Sequence, residues 1–172
     1  MFLLFVAQLQ EFQIQFLSLF EGFDRQKAQE VAILTQLGSK FEATKFGIPK
    51  ILVEFESGFI MAPVLQKIDI LFASHVRHLF EIVTFIHDQR ILHRDIRPEN
   101  LRCKSGQLYL IDFGFAIQFG SQVPFAGALK TASTKVLNST AGNSINYEKT
   151  DDYSSAIKVA NFCFSPSQKN QK

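Results

Sequence analysis

Three side chains near the middle of the sequence have the types and spacing for one kind of chemistry. Asp95, Asn100 and Asp112 lie in "HRDIRPENLRCKSGQLYLIDFGFA", which runs from His93 to Ala116. Between the last two, "CKSGQLYLI" reads as strand, turn, strand around Ser105-Gly106. If Leu101–Cys103 pairs with Leu108–Ile111, Asn100 and Asp112 sit side by side at the open end of the hairpin. An amide oxygen and a carboxylate are hard donors. They suit Mg²⁺, which keeps waters and shares phosphate oxygens with few protein groups. Asp95, in the loop before Asn100, is placed to accept a proton from a hydroxyl. A metal on phosphates beside a carboxylate base is the arrangement that phosphoryl transfer needs.

Such a loop has to be held by regular elements, and the flanking sequence supplies them. From about Leu71 to His87 the apolar set Phe72, Val76, Leu79, Phe80, Val83 and Ile86 predicts a long amphipathic helix with one buried stripe. Asp24 can cap an earlier helix through Ala28, Val31, Leu34 and Leu37, with Gly38 as its stop. Lys50–Phe55 and Phe59–Ala62, split by "ESG", read as a hairpin that Pro63 ends. Residues 2–20 alternate in part, with Phe12, Ile14 and Phe16 apolar, which is strand periodicity. Residues 118–150 are rich in Ser, Thr, Gly and Asn and read as a loop with one short helix. Ala156–Phe164 is apolar again, and "SPSQKNQK" reads as a polar tail. Strands and one helix followed by mostly helix give an α+β fold in two unequal parts, with the break near Pro63–Lys67.

Composition narrows the classes. The chain has 172 residues, 47% hydrophobic and 20% charged, which is globular and of single-domain size. Its 19 Phe and absence of Trp point to a Phe-rich core. A net charge of +2 with scattered Lys and Arg gives no basic stripe for nucleic acid and no polybasic cluster for a membrane surface. Cys103 and Cys163 have no metal-ligand spacing, so a reduced, intracellular (cytoplasmic) chain is expected. "MFLLFVAQLQ" lacks the positive n-region of a signal peptide. No apolar run approaches the roughly 18 residues of a membrane span.

His93-Arg94-Asp95-Ile96-Arg97-Pro98-Glu99-Asn100 resembles the catalytic loop of the eukaryotic protein-kinase family, and Asp112-Phe113-Gly114 resembles its metal-binding D-F-G. The resemblance implies a kinase-like two-lobed fold, incomplete at both ends. Residues 1–63 would be a partial N-lobe and 64–172 a mostly helical partial C-lobe, with catalytic loop 93–101 and activation segment 112–135. It implies ATP and Mg²⁺ as cofactors and a protein substrate with a Ser or Thr acceptor, "RPEN" being similar to the Ser/Thr catalytic loop. Asp95 would be the base, and Asn100 and Asp112 the metal ligands. Arg97 stands where Ser/Thr kinases usually carry a Lys that approaches the γ-phosphate; it keeps the charge but not the compact ammonium. His93 would pack on Phe113. Glu30 fits the helix-C glutamate that pairs with an ATP-contacting Lys. Met61 falls near the gatekeeper, and Ala62 and Val64 at the hinge whose backbone contacts adenine. "GALKTAS" resembles a substrate-binding loop, with Ala132-Ser133 in place of A-P-E, as in casein-kinase-like families. Asp152 fits the Asp that opens helix F, or is an ordinary helix cap. Arg94 would be available to a phosphate on Thr131, Ser133 or Thr134.

The sequence also departs from the family pattern. It has no G-x-G-x-x-G before the first helix and no Lys before Lys27; Val6-Ala7-Gln8 puts Gln8 in the lysine's place. A weak enzyme is therefore expected of this chain on its own. Two alternatives stay open: a pseudokinase that binds without chemistry, and a small-molecule phosphotransferase of the aminoglycoside or choline kinase type, which shares H-x-D-x-x-x-x-N and "IDFG".

Overall fold

The computed structural model describes residues 15–16, 24–40, 43–56, 58–68, 70–138 and 144–164. The strand expected over residues 2–20 lies outside them except for Gln15–Phe16, as does Gln8. That pair, β1, joins the edge of an antiparallel sheet with β2 (Lys50–Phe55) and β3 (Gly58–Ala62) in the order β1-β3-β2. The β2–β3 hairpin is the expected one. Pro63, which has no N–H to give a ladder, follows its last residue. β3 is the buried strand and β2 the exposed one. Helix α1 (Asp24–Gly38) runs between the expected limits and turns Ile33, Leu34 and Leu37 into the core. Lys27 ties it to the hairpin, its Nζ donating to the carbonyls of Phe55 and Glu56 at 2.8 and 2.7 Å.

After β4 (Gln66–Lys67) comes the long helix α2 (Ala73–Asp88). Its buried stripe differs from the expected one: Leu79, Ile82, Val83 and Ile86 are buried, whereas Phe72 is 61% exposed. Phe72 precedes the helix as its N-cap, so its side chain does not follow the helical period. Its backbone N–H donates to Nδ1 of His75 at 3.2 Å. β5 (Ile91–Leu92), a 3₁₀ turn (Pro98–Asn100), β6 (Leu101–Lys104) and β7 (Gln107–Leu110) follow. β6 and β7 pair as expected, Leu101 opposite Leu110, around Ser105 and Gly106, both at positive φ. β4 adds to β6.

The segment expected to be loop is more structured than its composition suggests. β8 (Ile117–Gln118) pairs with β5, and β9 (Gln122–Val123) pairs with β10 (Ile145–Asn146). Helix α3 (Thr134–Leu137) is capped by Ser133 Oγ, which accepts from the Val136 N–H at 3.2 Å. Helix α4 (Lys149–Phe164) closes the described chain. One core cluster joins Leu34 and Leu37 of α1, Met61, the α2 stripe, Leu108, Leu110, Phe113 and, from α4, Ala156 and Val159. Among the described residues no helix is long and apolar enough to cross a membrane.

Gly47 locks the two halves together. Its carbonyl accepts from the Leu110 N–H at 3.0 Å, its φ is +74°, and a Cβ would collide with the Leu108 carbonyl. Left-handed backbone costs a residue with a Cβ about 1–2 kcal/mol, before any strand shift. Gly47→Ala is expected to lower the thermal midpoint by at least that much stability, measured by calorimetry. An unchanged midpoint would show that the contact gives way freely.

Candidate active site

The site is built around a buried, neutral histidine. His93 Nε2–H donates to the Ile111 carbonyl at 3.2 Å, and Nδ1 accepts from the Asp95 N–H at 3.3 Å. Burial pushes its pKa down, against the upward pull of Asp152, Asp112 and Asp95, so the neutral tautomer fits. Its ring meets Phe113 edge to face with centroids 4.7 Å apart, the neighbour the sequence suggested. His93 thereby fixes the distance between the loop of Asp95 and the segment of Asp112.

Asp152, in the first turn of α4, is not a simple cap. Its carboxylate accepts from the backbone N–H groups of His93 (2.8 Å) and Arg94 (2.9 Å) and from His87 Nε2 (3.0 Å). It holds the loop from beneath, across 59 residues of chain from His93.

Asp95 is 1% exposed and fully engaged. Oδ2 accepts from Asn100 Nδ2 at 2.9 Å and lies 3.1 Å from Arg97 Nε; Oδ1 accepts from the Ala128 N–H at 2.8 Å. The Arg97 contact is an ion pair without hydrogen-bond alignment. Asn100 Nδ2 also donates to the Asp95 carbonyl at 2.9 Å, which commits the amide nitrogen and leaves the amide oxygen as a donor of electron pairs. The Ile111 N–H donates to the Asn100 carbonyl at 3.0 Å, extending the hairpin by one step up to the residue before Asp112. The sequence marked "GALKTAS" as a substrate-binding loop but did not show that its first two residues, Gly127 and Ala128, meet the loop of Asp95. Gly127 has φ +102°, and a Cβ there would strike the Arg94 carbonyl and lie 3.2 Å from Asp95 Oδ1. The Gly in "FAGALK" was the available signal.

Asp112 stands at φ +65°, with Glu30 close by. Glu30, buried on α1, accepts from the Phe113 N–H at 3.1 Å. Burial first and the Asp112 charge second push its carboxyl up to about 7, while the backbone bonds pull it down. The helix-C position inferred by resemblance thus meets the D-F-G backbone; among the described residues Glu30 has no ion pair.

Asp95, Arg97 and Asn100 are in contact; Glu30 and Asp112 form a second pair, and the charges of Asp95 and Asp112 both act on His93, which lies between them. Met61, Ala62 and Val64 are not drawn into that group. Met61 is buried in the core, and Ala62 lines a cavity of about 410 Å³ with Pro63, Lys50, Lys104 and Tyr109. A second cavity, about 500 Å³, lies along α2 between Phe46, Phe80 and Phe85; neither is lined by Asp95, Asn100 or Asp112. The phosphate role sketched for Arg94 needs correction. Its Nη1 donates to the Phe115 carbonyl at 3.1 Å and its Nη2 to the Pro124 carbonyl at 2.6 Å. Thr131 and Ser133 are buried, and Ser133 Oγ donates to Asp151 at 2.5 Å, so of the three proposed phosphate carriers Thr134 alone is exposed.

The donor set bears on a metal. Among the described residues no three His, Cys, Asp or Glu side chains converge as a protein-only metal shell would. One amide oxygen beside one carboxylate suits instead a hard cation that takes its remaining ligands from phosphate and water.

In the structure the Asp95–Asn100 loop is joined to the Asp112-Phe113-Gly114 segment by buried His93 and to α4 by Asp152. The sequence profile of the Protein kinase domain family matches residues 49–168. The chain is 34% identical over 116 residues to serine/threonine-protein kinase F of Synechocystis, an alignment covering 60% of this chain and 23% of that protein. It is 46% identical over 41 residues to a mitogen-activated protein kinase kinase of Aspergillus fumigatus, covering 23% of this chain and 8% of the relative. The chain belongs to the protein kinase domain family, whose activity is that of a transferase. It spans under a quarter of the length of these relatives.

Proposed function

We propose that the chain transfers the γ-phosphate of Mg·ATP to Ser or Thr hydroxyls of protein substrates inside the cell. The observation that carries this is the single hydrogen-bonded unit of Asp95 and Asn100, tied by the Ile111 bond to the segment that leads into Asp112. Asn100 and Asp112 would hold Mg²⁺, which would supply charge neutralisation at the phosphates. Asp95 orients the acceptor hydroxyl and takes its proton as the oxygen bonds to phosphorus and the bond to the ADP oxygen breaks. Arg97, at the rim of Asp95 and 37% exposed in its side chain, swings from the carboxylate to the γ-phosphate. Glu30 sets the D-F-G backbone through Phe113. Met61 borders the adenine, with the Ala62 and Val64 backbones at the hinge. The divisions at residue 63 and at 112–135 follow the same reading.

A binding module without turnover is the second reading, favoured by the saturation of Asp95 and by Glu30, which has no ion pair among the described residues. The discriminating experiment incubates the full chain with ATP, Mg²⁺ and a Ser/Thr peptide library. Slow transfer that requires Mg²⁺ and falls at least about a hundredfold in Asp95→Asn is expected. Nucleotide binding with no transfer supports the binding module, and neither binding nor transfer overturns both.

A further inference from the structure

Arg94 and Tyr147 have no part in the reaction just described, yet they are built into one another. The Arg94 guanidinium carbon sits 4.2 Å from the Tyr147 ring centroid. Its Nε is buried without a hydrogen-bond partner, and its two terminal nitrogens donate to the carbonyls of Phe115 and Pro124. Among the described residues it pairs with no carboxylate. A guanidinium that has lost water on one side is compensated by the ring face, and only its planar fork reaches two carbonyls at once. The Tyr147 hydroxyl in turn accepts from the Ala126 N–H at 3.4 Å, two residues before the Ala128 N–H that meets Asp95. Between them Gly127 is pressed against the Arg94 carbonyl. Tyr147 is itself 5% exposed, next to the β9–β10 pair.

We propose that Tyr147 is a positioning residue: with Arg94 it clamps residues 124–128 so that the Ala128 N–H holds Asp95, and this ordering needs no phosphate on the segment. The Arg94 terminal nitrogens are used on carbonyls, and the Thr131 and Ser133 side chains are buried, with their hydroxyls on the Ala128 carbonyl and Asp151. The effect on turnover rests on the phosphoryl-transfer reading; the clamp does not.

The test is amide exchange of the unphosphorylated full chain by NMR, with Val83 and Ile86 of α2 as internal controls. Tyr147→Leu is expected to speed exchange at Ala128 about tenfold and leave the controls unchanged, with Tyr147→Phe, which keeps the ring on Arg94 but loses the hydroxyl that accepts from the Ala126 N–H, falling between Tyr147→Leu and the parent. If Tyr147→Leu does not fold, Arg94→Lys, which loses the fork and the ring contact, should give the same acceleration. Unchanged Ala128 exchange in either folded variant overturns the clamp. In peptide phosphorylation, Tyr147→Leu should lower kcat about tenfold without moving KM for ATP, with partial recovery in Tyr147→Phe. Faster exchange with unaltered kcat overturns the positioning role. If the parent chain transfers no phosphate, the kinase reading fails while the exchange result still decides the clamp.

Discussion

Replacing Asp152 with Ala is expected to destabilise the chain by about 3–5 kcal/mol, the loss found when one partner of a buried charged network is removed. The side chain is 1% exposed and satisfies three donors: the N–H groups of His93 and Arg94 and the Nε2–H of His87. All three stay buried in the variant, and each unsatisfied donor costs about 1–3 kcal/mol. Asp152→Asn keeps the shape but offers one acceptor oxygen, and turns its NH₂ toward donors. It should recover only a fraction of the loss. Whole-domain stability is about 5–15 kcal/mol, so Asp152→Ala should leave a large unfolded fraction at 37 °C. Urea unfolding measures this as a lower midpoint at unchanged slope. A change below about 1 kcal/mol would mean that Asp152 acts as an ordinary cap.

The contrast between Asp152 and Asp95 shows what the sequence could and could not convey. The Asp95–Asn100 loop and the hairpin that leads to Asp112 were legible because their arrangement is local. The spacing is short, the Ser105-Gly106 turn is chemically marked, and one backbone bond from Ile111 to Asn100 completes it. The limits of α1 were legible for the same reason, with Asp24 at one end and Gly38 at the other. Asp152 supported two readings because a carboxylate at a helix start looks the same in sequence whether it caps or reaches a loop in another part of the chain. The fate of Arg94 was misread on those grounds. A guanidinium beside a catalytic Asp was expected to stay available, but the fold brings Phe115, Pro124 and Tyr147 to it. β8, β9 and β10 escaped notice because two-residue strands carry no period. Ser133 is a buried cap because its Oγ donates to Asp151 and accepts from the Val136 N–H, contacts that its sequence does not announce.

Glu30→Gln is expected to make the chain more stable at pH 8 and to flatten its stability between pH 5 and 8. The Glu30 carboxyl is pushed up to about 7 by burial and by the neighbouring Asp112, against 4.5 for the unperturbed group. Below 4.5 the folded and unfolded chains both hold the proton, so Glu30 contributes no pH dependence. Between 4.5 and 7 the unfolded chain releases it first and the folded chain binds more protons. Stability therefore falls as pH rises through this window. Above 7 the penalty is complete. A shift of this size amounts to about 3 kcal/mol at 1.36 kcal/mol per pH unit. Gln is neutral throughout, and its amide oxygen still accepts from the Phe113 N–H, so it keeps the contact and removes the penalty. The sign is opposite to that of a carboxylate paired with a cation, whose stabilisation grows above its unfolded pKa. Urea midpoints of both chains from pH 5 to 8 decide the matter. The parent should lose stability toward pH 8 relative to Glu30→Gln, and the curves should converge near pH 4.5. Curves that run parallel, or a variant that is less stable at pH 8, would mean that Glu30 is ionised against a cation in the folded chain.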